Sequence, residues 1–116
     1  MDSDKNIFRL QHVIECIDKI EKITQHLTYG DYLEDWIKQD AIFRNIEIIG
    51  EAISHVANDL KSKYPNVAWI QAKGMRNFLV HEYFKVDHDA VWKTLNEDLP
   101  QLKSQILQIL TDIKPT

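Results

Sequence analysis

The chain reads as all-α, an antiparallel bundle of four to five helices, and three observations point there. Apolar residues recur at spacings of three and four along most of its length, the pattern that keeps one face of a helix against a core. No segment alternates polar and apolar residues as a half-buried strand would. At 116 residues it is a single domain, 1–116, large enough to bury roughly two thirds of its extended-chain surface, with no repeat or low-complexity tract.

The elements follow in order. Ile7, Leu10, Ile14, Ile17 and Ile20, continued by Ile23 and Leu27, make residues 4–28 one long helix that stops before Gly30. Asp31 with Glu34 three residues later has the form of a capping box. Ile42, Ile46, Ile49, Ile53, Val56 and Leu60 then carry a second helix to about Lys63, and Pro65-Asn66 closes it. A third helix runs from about Val67 to Tyr83. After a break at Lys85-Val86-Asp87, the residues Val91, Trp92 and Leu95 suggest a short fourth, and Pro100 forbids a smooth continuation. Leu102, Ile106, Ile109, Leu110 and Ile113 form the last helix, up to Pro115.

Composition limits what the chain can do. With 14 basic against 18 acidic residues its formal charge is −4, the wrong sign for holding nucleic acid by overall electrostatics. Any such ligand needs a local patch, for which Lys73, Arg76, His81, Lys85 and His88 are the candidates, the alternative being a merely solvated basic edge. The single cysteine, Cys16, permits no internal disulfide and lies on an apolar stripe with Val13, Ile17 and Ile20, as a reduced core thiol would. Met1-Asp2-Ser3-Asp4 lacks the basic start of a secretory signal, and no stretch approaches the roughly 18 apolar residues of a membrane span. A soluble cytoplasmic protein is expected. The five histidines show no pair at ligand spacing with a carboxylate partner, and Asp87-His88-Asp89 reads as a solvated loop or helix cap, so neither metal nor cofactor is expected. Trp36, Trp69 and Trp92 occupy apolar positions and read as core or dimer contacts.

The chemistry is concentrated in Arg76-Asn77-Phe78-Leu79-Val80-His81-Glu82-Tyr83, which places a guanidinium, an imidazole and a phenol in one short stretch. An Arg that holds phosphate in its planar fork and a His that titrates near neutral pH are two parts of a metal-free ribonuclease. On one ideal helix Arg76 and His81 stand about 140° apart, too far round to share a small ligand comfortably. A second copy of the motif from a dimer partner would resolve this.

Gly74-Met75-Arg76-Asn77-Phe78-Leu79-Val80-His81-Glu82-Tyr83-Phe84 resembles the signature of the HepT-like toxins of the HEPN superfamily: Arg, four residues, His, one residue, Tyr. Arg44-Asn45-Ile46-Glu47-Ile48-Ile49-Gly50-Glu51-Ala52 is similar to that family's other shared stretch, and Phe84-Lys85-Val86-Asp87 with Val91-Trp92 fits its continuation. The resemblance implies a HEPN-like, homodimeric helical bundle that acts as a metal-independent ribonuclease, the toxin of a type VII toxin–antitoxin system. Arg76 and His81 would be catalytic, with Glu47 or Glu51 orienting Arg76; beside what the resemblance implies, the position of Asn77 one turn before His81 suits a supporting role, and the charges of Lys73 and Lys85 suit RNA binding. Tyr83 would be the hydroxyl to which a nucleotidyltransferase antitoxin attaches AMP.

Each residue also has a plainer reading. Arg76 could pair with a helical carboxylate, His81 could be a hydrogen-bonded structural histidine, Asn77 a surface amide and Tyr83 a helix-end aromatic. Arg44, Glu47 and Glu51 could be ordinary intrahelical ion pairs, against a role for Glu47 or Glu51 in orienting Arg76, with Gly50 allowing a close helix approach. The functional rival to the ribonuclease is a non-catalytic helical subunit that docks a nucleotidyltransferase or binds nucleotide.

Overall fold

A computed structural model, which describes residues 2–75 and 86–113, turns the apolar periodicity into seven α-helices and one π-helical turn among those residues, with no strand. The helices are α1 (Asp2–Thr24), α2 (Tyr29–Glu34), α3 (Trp36–Ser54), α4 (Asn58–Lys63), α5 (Trp69–Gly74), α6 (His88–Lys93) and α7 (Leu99–Ile113). The π turn, Thr94–Asp98, joins the last two.

The apolar stripes meet as their spacing requires. Leu10, Val13, Ile17 and Ile20 of α1 are fully buried with Ile42, Ile46, Ile49 and Ile53 of α3 and Ile106 and Ile109 of α7. Direction is fixed by polar ties at the helix ends. Asn6, itself buried, accepts from the N–H of Ala57 at 3.1 Å, and Arg9 donates to the carbonyl of His55 at 2.6 Å. The start of α1 therefore lies beside the end of α3. Lys103, early in α7, reaches Asp18 at 2.8 Å and Glu21 at 2.9 Å near the end of α1, so α7 is antiparallel to α1 as well. The all-α antiparallel expectation holds. Cys16 is buried in this core, and desolvation pushes its thiol pKa up, as suits an inert reduced thiol.

Several boundaries differ from the sequence reading. The first helix ends at Thr24, short of residue 28, and Gly30 is inside α2 rather than capping α1. The left-handed residue is His26, at φ 62°, in a position that Asn, Asp and His tolerate better than most. Asp31 and Glu34 do not form a capping box: the Thr28 side chain caps α2 by accepting from Asp31 N at 3.1 Å. Asp35 then caps α3, accepting from Lys38 N at 3.0 Å. The single helix expected up to Lys63 is thus three. Its second break, after Ser54, follows from the ties to Asn6 and Arg9, which hold backbone groups of residues 55 and 57 out of the helix. Tyr64 leaves the helical region at φ −127°, ψ 64°, as a residue before proline must.

Pro100 does not break the chain's path. Lys93, Thr94 and Leu99 all keep right-handed helical backbone, and the N–H of Leu99 bonds to the carbonyl of Thr94, five residues back. The widened turn comes where the proline ring would otherwise meet the carbonyl four residues earlier. Residues 88–113 are consequently one helical run containing a π turn. The tryptophans also divide. Trp69 is buried and Trp92 half-buried, but Trp36 is 68% exposed beside Ile37, so Trp36 is not a core residue.

An aromatic clasp joins α2 to α6. The Tyr32 ring is buried, its hydroxyl is hydrogen-bonded to His88 Nδ1 at 2.8 Å, and Trp92 lies 5.3 Å away, centroid to centroid. Tyr29 donates to Asp89 and stacks on Tyr32 at 6.1 Å. Burial, then the neighbouring Tyr29, holds the Tyr32 phenol well above its ordinary pKa.

Two outcomes are expected. Ile46→Ala should cost about 2–5 kcal/mol in urea denaturation, because Ile46 is fully buried, whereas Ile70→Ala, at 88% exposed, should change stability by no more than about 0.5 kcal/mol. Because the folded pKa of Tyr32 is raised, its stabilisation is complete below the unfolded value of about 10 and is lost as pH climbs from there. The urea midpoint of the unsubstituted protein should fall more steeply above about pH 10 than that of Tyr32→Phe; parallel curves would deny the clasp this role.

Candidate active site

The stretch bearing Arg76, Asn77, His81, Tyr83 and Lys85 lies outside the described residues, and the structure instead gives how the chain enters and leaves it. On the way in, Val67, Trp69, Ala72 and Met75 are buried, so α5 docks one face on the core. The Trp69 indole N–H donates to the carbonyl of Tyr64 at 3.0 Å and fixes where α5 starts. Met75 continues in helical backbone, at φ −53° and ψ −37°. On the way out, the Asp87 side chain caps α6 by accepting from Ala90 N at 3.0 Å. His88, Asp89 and Trp92 are then held by the clasp. Both ends of the segment are therefore anchored by burial and hydrogen bonds.

The candidate basic patch changes membership. Lys73 is exposed on α5. The Lys61 ammonium has its pKa lowered by desolvation and then by the charge of Lys73, which makes Lys61 a neighbour that sequence spacing did not reveal. His88 does not join the patch. It is half-buried, hydrogen-bonded to Tyr32 and packed 6.1 Å from the Phe43 ring.

Glu47 and Glu51 are exposed on α3 and line an open groove of ≈ 420 Å³ with Arg9, His12, Arg44 and His55. Glu51 meets His55 Nε2 at 3.0 Å, an exposed pair worth at most about 1 kcal/mol. Among the described residues Arg44 and Glu47 form no ion pair, so the intrahelical pairing of the plainer reading does not account for them. The groove offers guanidinium, imidazole and carboxylate groups together, a set able to hold a phosphate and pass protons. Arg9 and His12 were invisible as groove residues in the sequence because α1 and α3 meet only through tertiary packing, whereas His55 stands one helical turn after Glu51. Gly50 is buried on the same helix.

A second groove of ≈ 410 Å³ opens between α5 and the start of α7, lined by Asn66, Gln71, Gly74, Met75, Lys93 and Gln101 among others. It adjoins the motif directly, since Met75 precedes Arg76. Among the described residues no group of three or more His, Cys, Asp or Glu side chains is placed to hold a metal ion, and no helix is long and apolar enough to cross a membrane.

Comparison with known proteins agrees with the resemblance read from the motifs. A family model described as "Ribonuclease HepT-like" matches residues 13–109. A protein of Methanocaldococcus jannaschii named "Gamma-glutamylcyclotransferase and putative RNase" is 37% identical over 113 residues, 97% of this chain but only 50% of the relative. A "Probable ribonuclease HepT" of Thermococcus cleftensis is 41% identical over 96 residues, 83% of this chain and 87% of the relative. The chain thus spans half the length of the first relative and most of the second. No solved structure matches. With the family model covering most of its length, including both shared stretches, the chain belongs to the HepT-like ribonuclease family.

Proposed function

We propose that the chain cleaves RNA without a metal ion, through Arg76 and His81, and is the toxin of a toxin–antitoxin pair. The observation that carries this reading is the family match over residues 13–109, which takes in the Arg76–Tyr83 stretch, together with an anchored chain on either side of it. Arg76 binds the scissile phosphate in its fork and offsets the charge that grows in the pentacoordinate transition state. The nucleophile is the RNA's own 2′-hydroxyl. His81 assists either its deprotonation or protonation of the leaving 5′-oxygen. The new 2′-O–P bond forms as the P–O5′ bond breaks, leaving a 2′,3′-cyclic phosphate and a 5′-hydroxyl.

The remaining residues take supporting parts in this scheme. Glu47 or Glu51 orients Arg76 from α3, and Asn77 orients the imidazole or donates to a phosphate oxygen. Lys73 and Lys85 contact neighbouring phosphates, which offsets the acidic balance of the whole chain locally. A homodimer brings two motifs into one cleft, answering the 140° separation of about five residues on one helix. The partner that silences it is a nucleotidyltransferase antitoxin. AMP on Tyr83 would occupy the Arg76 fork and put negative charge where the substrate phosphate must sit.

Arg76→Ala and His81→Ala should each abolish RNA cleavage with little loss of thermal stability, and cleavage by the unsubstituted chain should survive EDTA. End-group analysis decides the chemistry: products with 3′-hydroxyl and 5′-phosphate ends, or activity that chelation removes, would refute the 2′-hydroxyl route. An unsubstituted chain that cuts no RNA, with Arg76→Ala losing only partner binding, would mark a binding subunit instead.

Tyr83→Phe should keep ribonuclease activity yet escape the antitoxin, because only the hydroxyl that accepts AMP is removed. Co-expression with the nucleotidyltransferase, read by growth and by the intact mass of the protein, tests this. Equal neutralisation of Tyr83→Phe and the unsubstituted chain would mean inhibition by binding alone.

A further inference from the structure

The groove between α5 and α7 has a chemistry different from that of a phosphate site. Its polar side chains are mostly carboxamides, those of Asn66, Gln71, Gln101 and Gln105, with one ammonium, Lys93, and one carboxylate, Asp98. The two charges offset one another, so the groove has little pull on an anion. Its floor is apolar: Ala72, Met75 and Leu102 are buried and present surface to it. Among the described residues the exposed side chains of Gln71, Gln101 and Lys93, which line the groove, make no hydrogen bond or ion pair and are available to a ligand there. Gln105 donates to the carbonyl of Asn66 at 3.2 Å and ties the two walls together.

Two further features separate this groove from an ordinary surface depression. Asp98, the last residue of the π turn Thr94–Asp98, lines one wall; one of its oxygens accepts from Thr94 Oγ1 at 3.2 Å while the other makes no hydrogen bond among the described residues. Such turns are over-represented at functional sites. The opposite wall includes Gly74, and Met75 of the floor is one peptide bond from Arg76. Whatever occupies the groove lies beside the first residue of the motif.

We propose that this groove binds a single unpaired RNA base next to the scissile phosphate and sets which nucleotide flanks the cut; the assignment rests on the ribonuclease reading above. Carboxamides present a donor and an acceptor at fixed spacing, the pattern that reads base edges in single-stranded RNA. The apolar floor takes the face of the base. The outward Asp98 oxygen accepts from an exocyclic amino group, so adenine, guanine or cytosine is preferred to uracil, which has none. A volume of ≈ 410 Å³ suits one base and its sugar rather than a helix.

The test is cleavage of single-stranded RNA oligonucleotides that differ in one nucleotide on either side of the cut. The unsubstituted chain should favour an amino-bearing base over uracil by at least about tenfold at one position, the scale of one well-made base contact. Asp98→Asn, which keeps an acceptor for Thr94, and Gln101→Leu should each shrink that preference to below about threefold by slowing cleavage of the favoured substrates, with melting temperature unchanged. An unaltered preference in both variants overturns the proposal, as does a uracil preference or none. If the unsubstituted chain cuts no RNA, the ribonuclease reading fails separately, and the groove is read by NMR of the Gln71 and Gln101 side-chain amides titrated with the four nucleoside 5′-monophosphates. Amide shifts with the amino-bearing nucleotides and not with uridylate uphold a base site; no shifts, or equal shifts with all four, exclude it. A response to adenylate alone would reassign the groove to the adenylyl group of a modified tyrosine and overturn its role in RNA.

Discussion

Everything in this fold depends on the aliphatic seam between α1 and α3. Leu10, Val13, Ile17 and Ile20 close against Ile42, Ile46, Ile49 and Ile53, and each fully buried aliphatic side chain contributes about 1.5–3 kcal/mol relative to exposure. The seam also sets what faces outward. With those positions turned inward, Arg44, Glu47 and Glu51 have only the outer flank of α3 left to them, where His55 at the end of the same helix and Arg9 and His12 from α1 join them. The polar ties of Asn6 and Arg9 to the end of α3 add register to an interaction that burial alone would leave free to slide.

The acidic balance of the chain and its membership of a ribonuclease family are compatible because the charge is unevenly used. Acidic side chains on α1 are occupied elsewhere: Asp18 and Glu21 converge on Lys103, whose pKa they raise by hydrogen bonding. Lys61 and Lys73, by contrast, stand close enough for like charge to be felt. That pair of cations lies on α4 and α5, which lead into the motif, while Asp18 and Glu21 are engaged by Lys103. Association with a polyanion under such an arrangement is local and short-ranged, and it weakens steeply with salt.

The helical class and most of the core were legible because aliphatic spacing is a direct record of burial: Leu10, Ile17, Ile46, Ile53 and Ile106 all fall where the spacing put them. The breaks were not legible to the same degree. Thr28 and Asp35 cap helices with the short side chains that also occur inside them, and the stop after Ser54 is enforced by Asn6 and Arg9 from some fifty residues away, a contact that no local pattern carries. The motif itself was readable as chemistry from Arg76, His81 and Tyr83, since residue types and order are sequence properties. Its surroundings were not: His88 looked available to a basic patch until the buried Tyr32 claimed it, and Lys61 entered only through the packing of α4 and α5.

The π turn has a further meaning for how the last third of the chain keeps its apolar side against the bundle. The buried positions there are Val91, Thr94, Leu99, Leu102, Ile106 and Ile109, and the steps between them are three, four or, from Thr94 to Leu99, five. A regular helix with a five-residue step would arrive about 140° away from where it began. The wide turn absorbs the surplus residue and returns the two halves to a common phase, so the run behaves as a spliced shaft rather than two rods with a joint. A one-residue deletion within residues 94–98 would remove that surplus and let a regular helix keep Leu102, Ile106 and Ile109 on the core side, but it would bring the Pro100 ring back against the carbonyl four residues earlier.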